Sequence, residues 1–318
     1  MPDAVTQRPA AIEAVPVRHV GRWVAAVVVL AIAAEIVFTL ATAPNLKWSV
    51  VGHYLSHRLI LRGIVTTLEL TVLAMLIGIV LGVLLAVMRL SPNPVMAWVS
   101  WVYIWLFRGT PVLVQIFFWF NLALVLPQIG IGIPFTSIHW QADTNTLVPA
   151  FMAATLGLGL NEAAYMAEIV RAGLISVDHG QTEAAQALGM PRSLVMRRII
   201  LPQAMRVIIP PTGNETISML KTSSLAFVAS VPELFTRSQQ IASATFEVIE
   251  LAIVASIWYL AMTSILTVGQ YYLERYFARG SMRGLPPTPI QRFRRILFTF
   301  HAPPPPPMEM PVALPRGH

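Results

Sequence analysis

Cysteine is absent from the 318-residue chain, which removes disulfide frameworks, thiolate metal sites and cysteine nucleophiles together. Charge is scarce, at 12% of residues, where a soluble domain carries about 25%. No Gly-Lys dipeptide occurs, so the chain contains no glycine-rich loop with the lysine that cradles nucleotide phosphates. If ATP is used, another subunit binds it. No cluster with metal-ligand spacing and no nucleophile constellation stands within the apolar runs, which disfavours a membrane-embedded enzyme and leaves no catalytic residue and no cofactor to assign. His53 and His57 lie four apart, but no partnering ligands accompany them.

Apolar residues are what the chain has in excess, at 56% with a mean hydropathy of +0.66, and such a chain buries apolar surface in lipid. Its net charge of +7 does not describe a nucleic-acid groove, because the basic residues flank apolar runs. A bilayer core needs roughly 20 apolar residues per helix, and six segments qualify: 23–43, 63–88, a long run from Val95 to Leu126, 148–175, 208–231 and 248–272. The third is too long for one span, and the "RGTP" at Arg108 to Pro111 predicts one broken helix there. In the second, Gly78 and Gly82 lie four apart and permit close helix contact. The first is read as an uncleaved anchor because its apolar run exceeds a usual signal core, although "ATA" at Ala41 to Ala43 resembles a cleavage site.

The arginines and lysines fix an orientation, since they accumulate on cytoplasmic loops. With the amino terminus inside, the cytoplasmic segments hold Arg8, Arg18 and Arg22, then Arg89, then Arg171, Arg192, Arg197, Arg198 and Arg206, then seven from Arg275 to Arg316. External segments hold four: Lys47, Arg58, Arg62 and Arg237. Both termini are therefore expected in the cytoplasm, with residues 1–22 a cytoplasmic segment. Residues 281–318 are proline-rich and expected to be a solvated, disordered tail.

On the same side falls "EAAQALGMPRSLVMRRIILPQ" (Glu183 to Gln203). Asp178 and Gln181 fit a helix amino terminus and Gly189 fits the left-handed position past a helix end, predicting a helix of about ten residues, roughly 15 Å long. Pro191 restarts the chain as a second helix, whose Leu194, Val195, Ile199 and Leu201 alternate with arginines as at a headgroup surface. Pro202 is expected to end it.

The spacing of Glu183, Ala184, Ala185, Gly189, Ile199, Leu201 and Pro202 resembles the EAA loop of permease subunits of bacterial ABC importers. "GIVTTLELTVLAMLIGIVLGVLLAVMRLS", "FRGTPVLVQIFF", "AAYMAEIVRAGLISVDHGQTEAAQALGM" and "YYLERYFARG" are similar to the polar amino acid branch of that family. The resemblance implies an all-α polytopic membrane protein, with a five-helix permease core over 60–280, its EAA loop at about 178–205, and one extra transmembrane helix (23–43) in front. It implies a cytoplasmic ABC ATPase gripping those seven loop residues, an external or periplasmic solute-binding protein, a second permease copy or sister permease, and an amino acid substrate, all at the bacterial cell membrane. Two positions depart from the branch: Glu162, where a small residue is common, and Thr222, where aspartate is frequent.

An ionisable side chain at the centre of a span costs roughly 2.5 to 3.5 kcal/mol to insert, which makes each such residue a candidate for the substrate pathway. The fifth span is densest in polar groups, and Glu215 is the first choice to meet a substrate ammonium. Asn214, Ser218 and Thr222 supply neutral partners, with Lys221 beyond them. Pro210, Pro211 and Gly213 free backbone groups near its cytoplasmic end. In the fourth span Asn161 and Glu168 are candidates, although Glu168 and Arg171 are three apart and suited to pair with each other. Glu69 stands alone in the second. The rival reading is a self-sufficient secondary transporter, coupled to ions through Glu69, Glu168 and Glu215.

Overall fold

The computed structural model describes residues 20–132 and 139–277, in two units, one holding the amino-terminal helix and the other residues 44–285. In the first unit, α1 (Val20–Ala41) is apolar around its circumference apart from Glu35, and exposed at Gly21 and from Trp23 to Ala41. An evenly apolar helix suits a lipid surround. The proline-rich stretch expected at 281–318 lies outside the described residues, as does all but the end of the segment expected at 1–22.

The second unit opens with α2 (Trp48–Leu55) and α3 (Arg58–Arg89). His57 joins them: its Nδ1 accepts the Leu59 amide at 3.3 Å and caps α3. At 32 residues and about 1.5 Å per residue, α3 is longer than a bilayer core is thick and must tilt to fit. It begins at Arg58, five residues before the expected start of that span. Then follow α4 (Pro94–Gly109) and α5 (Val112–Phe120), bent by 99° at the break where Pro111 cannot extend the helical ladder. The expected broken helix is therefore present.

A two-stranded antiparallel ribbon follows, β1 (Gln128–Gly132) with β2 (His139–Asp143), pairing Gln128 with Asp143 and Gly132 with His139. The all-helical expectation did not include it. A short α6 (Thr144–Leu147) leads to α7 (Ala150–Ile175). Next come α8 (His179–Ala187), α9 (Arg192–Val195), a π-helical turn over Met196–Ile200 and α10 (Leu201–Thr222). A 3-10 segment (Ser223–Ala229), α11 (Leu234–Thr245) and α12 (Val248–Phe277) complete the unit. By length and hydropathy α1, α3, α12 and the bent α4–α5 pair are spans, while α7 and α10 match them in length but carry more polar residues.

The core is built on close contact of α3 with α7. A methyl group on Gly78 would come within 2.5 Å of Glu162 Cγ, and one on Gly82 within 2.5 Å of Met166 Cβ. Leu70, Ala74, Leu158 and Met166 are buried around this seam. A second cluster joins α2, α11 and α12 through Val51, Leu234, Ile241 and Leu251.

Pro202 does not end the surface helix. The chain runs helically from Arg192 through Pro202 to Thr222, because the π turn widens the backbone just ahead of the proline. There the Leu201 amide reaches back to the Met196 carbonyl, five residues away. A wider turn spares the clash between a proline ring and the preceding turn. The helix that carries the expected fifth span thus begins at Leu201 rather than at 208. The helix also keeps Pro210 and Pro211 in its interior, and the Pro210 carbonyl accepts a hydrogen bond from Gln270 Nε2 at 3.3 Å.

Candidate functional site: a polar seam at the broken helix and a docking helix

The break between α4 and α5 is held by two amides. Gln115 Nε2 donates to the Phe107 carbonyl at 3.0 Å, the Thr110 carbonyl at 3.1 Å and Thr110 Oγ1 at 2.8 Å. Asn161 Nδ2 on α7 donates to the same Phe107 carbonyl at 2.8 Å. Backbone freed by the bend is thereby satisfied inside the protein, as membrane-depth backbone must be. Nearby, Tyr103 donates its hydroxyl proton to the Leu160 carbonyl at 2.8 Å, fixing α4 to α7 a second time.

Ionisable groups gather on this seam. The Arg108 guanidinium lies 5.1 Å from the Tyr165 ring centroid, a cation–π distance, and its charge also attracts the Glu215 carboxylate of α10. Glu162 is 3% exposed, its Oε1 has no hydrogen-bond partner, and it feels the charge of Glu215. Two acidic groups and one arginine therefore share a region bounded by α4, α7 and α10. A cavity of about 490 Å³ opens beside it, lined by Arg89, Trp101, Trp105, Arg108, Tyr165 and Glu168.

The other expected pathway residues are not all brought together. Glu168 pairs with Arg171, whose Nη2 and Nε donate to Oε2 at 2.7 and 3.1 Å. Asn214 Oδ1 accepts from Gln270 Nε2 at 2.9 Å, and that amide also reaches Glu274 Oε1 at 2.7 Å, which ties α10 to α12. Ser218 and Lys221 are exposed and Thr222 is half-buried. Glu69 is exposed on α3 and lines a separate, largely apolar cavity with Val65, Leu68, Val72 and Phe151.

Sequence reasoning passed over Glu233, which is fully buried. Its carboxylate accepts the amides of Phe235 and Thr236 at 2.8 and 2.6 Å, the Thr236 hydroxyl at 2.8 Å and the Tyr259 hydroxyl at 2.9 Å. Thr67 approaches the same carboxylate at 3.4 Å. One side chain therefore caps α11 and joins it to α3 and α12. The signal was Glu233 just after Val231 and Pro232, ahead of a new helix.

The loop between α7 and α10 forms a compact helix end. Asp178 Oδ1 accepts the Gly180 amide at 2.7 Å and caps α8. At the far end Gly189 has φ +76, the Met190 amide reaches the Ala185 carbonyl at 3.1 Å and the Gly189 amide reaches Gln186 at 2.9 Å. These two bonds are a Schellman cap. Ala185 and Val195 are buried, holding α8 and α9 to the unit, while Glu183, Ala184 and Ala187 face outward and Leu188 is 82% exposed. Ile199 is half-buried, and Leu201 and Pro202 are exposed on the helical run behind.

Comparisons with known proteins agree with one another. The family model described as "Binding-protein-dependent transport system inner membrane component" matches residues 78–279. The chain is 50% identical over 287 residues to an arginine transport system permease protein, ArgU, of Corynebacterium glutamicum, covering 89% of each chain. It is 35% identical to ArtQ, an arginine transport system permease protein of Bacillus subtilis, over 68% of this chain and 91% of that one. Among solved structures, an amino acid ABC transporter crystallised with histidines matches at 36% identity and TM-score 0.59, covering 69% of this chain and 94% of that one. A methionine ABC transporter in an inward-facing conformation matches at 20% identity and TM-score 0.54, a likeness of fold. The long apolar helices, the capped loop helix and these matches together establish that the chain belongs to the binding-protein-dependent inner membrane component family, as a permease of the amino acid ABC transporter kind.

Proposed function

We propose that the chain is the membrane subunit of an ATP-driven importer for a cationic amino acid, and that α8 is the element a separate ATPase grips. The observation that carries this reading is the form of the loop. The seven residues Glu183, Ala184, Ala185, Gly189, Ile199, Leu201 and Pro202 fall on a short, doubly capped helix, its closing turn and the helical run behind it, with an alanine face open to a partner. Small side chains permit close approach, and the buried Ala185 and Val195 pass a push on α8 to α10 as a rigid body. ATP-driven closure of the partner would then swing α7 and α10 and turn the pathway from one face of the membrane to the other.

The solute passes along the seam of Glu162, Asn161, Arg108 and Glu215 in this reading, with Asn214, Ser218, Thr222 and Lys221 further along α10. Two carboxylates against one arginine favour a cationic guest, which is in keeping with the arginine transport named for two of the relatives. Glu168, held by Arg171, shapes the wall, and Glu69 stands outside the path. The permease domain is taken as residues 60–280, with α1 as an added anchor. The protein resides in the bacterial plasma membrane with both termini in the cytoplasm, it works as a homodimer or beside a sister permease, and an external solute-binding protein delivers its substrate.

The lack of native cysteine makes the ATPase contact directly testable. A single Gln186→Cys on α8, paired with cysteines scanned across the surface of the ATPase encoded beside this permease, is expected to form a disulfide whose yield changes with ATP. No cross-link at any scanned position, with both subunits folded and co-purified, contradicts the docking role. An ion-coupled secondary transporter would need no such partner, and nothing in that reading calls for the capped helix.

A further inference from the structure

One cavity is left unused by this transport reading. It has a volume of about 410 Å³ and lies between α3, α7 and α10, with walls that include Val83, Val87, Val170, Leu201, Met205 and Ile208. Its chemistry is almost purely apolar, so it offers nothing to an amino acid. Val83 and Val87 are 43% and 57% exposed, and with Val72, Leu76 and Val80, also exposed, they make one apolar stripe along α3 leading to the mouth. A stripe of that composition on a spanning helix meets acyl chains.

Charge follows the cavity wall in the chain. The π turn that supplies Met196 to its wall also carries Arg197 and Arg198, both exposed. Arg197 precedes Leu201 by four residues and so shares its side of the helix. Among the described residues neither arginine has an ion-pair partner. Exposed arginines next in the chain to a lining residue of an apolar cavity are complementary to a lipid phosphate with its tail inside.

We infer that an anionic phospholipid binds here, one acyl chain in the cavity and its phosphate between Arg197 and Arg198. The bound lipid would fill the space between α3 and α7 on one side and the root of the loop helix on the other. Leu201, one of the seven loop-signature positions, would touch the lipid directly. The site stands whichever solute the permease carries.

Native mass spectrometry of the permease–ATPase complex tests this after reconstitution in equal amounts of phosphatidylglycerol and phosphatidylcholine and mild re-extraction. The wild type is expected to retain phosphatidylglycerol about thirtyfold over phosphatidylcholine, whose choline cancels the phosphate charge that the two arginines meet. The double substitution Arg197→Gln with Arg198→Gln should abolish that preference, and Arg197→Lys with Arg198→Lys should keep most of it. Val83→Phe, which fills the mouth from an exposed position that tolerates bulk, should reduce retention of both lipids. Equal retention by the wild type overturns the site, as does phosphatidylglycerol retention that either the glutamine pair or Val83→Phe leaves unchanged. Cross-linking of Val83→Cys to its counterpart in a second copy, with no lipid retained, assigns the cavity to a protein interface and overturns it equally.

Discussion

Glu162 puts a carboxylate against Gly78, in a tightly packed seam of the bundle, with one oxygen unpartnered. A buried group of this kind destabilises the chain unless a partner arrives, and a cationic solute is the partner proposed here. Exchange of Glu162 or Glu215 for glutamine should weaken uptake of a cationic amino acid roughly 10- to 100-fold, the effect of about 1.5 to 3 kcal/mol for a hydrogen bond to a charged group. Uptake of a neutral amino acid should change far less. Competition uptake with arginine and a neutral analogue checks this, and equal losses for both would remove the carboxylates from the selective step. Glu233 has the opposite character, because every acceptor position is taken. Glu233→Ala should lower stability by roughly 1.5 to 3 kcal/mol, read as a fall in the thermal unfolding midpoint in detergent, without altering which solute is preferred. The sequence marked Glu215 because a charge in an apolar run stands out; Glu233 sits in an ordinary-looking connection, and only its five partners, drawn from three helices, show what it does.

Helices and turns were legible to different degrees for physical reasons. Spans follow from hydropathy, and the break at Pro111 follows from a missing amide and a ring that obstructs the ladder. The clamp on that break was not legible, since Gln115 and Asn161 are neutral amides whose partners are backbone carbonyls 54 residues away in one case. Pro202 was misjudged because proline obstructs an α-helix, whereas here one wider turn admits it. The ribbon at β1 and β2 and the helix α11 are short, and each lies between long apolar runs that dominate any reading by hydropathy. Gly189 was readable, because only a left-handed residue completes the double cap. Gly189→Ala has open space around its new methyl group, so its cost is conformational, roughly 1 kcal/mol. It should fray α8 and reduce ATPase stimulation by the permease while leaving the spans folded. In contrast, Gly78→Val meets Glu162 directly and should cost roughly 1 to 3 kcal/mol through overpacking, visible as loss of the folded, monodisperse permease.

At the scale of the whole molecule, a 50% identical arginine permease covering 89% of the chain and a capped loop helix point to a machine with more than one subunit. The chain carries membrane spans, a polar seam and a capped loop helix, and its sequence contains no nucleotide-binding loop. In the function proposed above, energy enters through α8, and selectivity is divided between the solute-binding protein and the seam. The most direct test is uptake of labelled arginine by proteoliposomes containing the permease and the solute-binding protein, with and without the partner ATPase, at a fixed ion gradient. Uptake is expected only when ATPase and ATP are both present, and none when the ion gradient is imposed alone. Accumulation driven by the gradient without the ATPase would contradict this expectation.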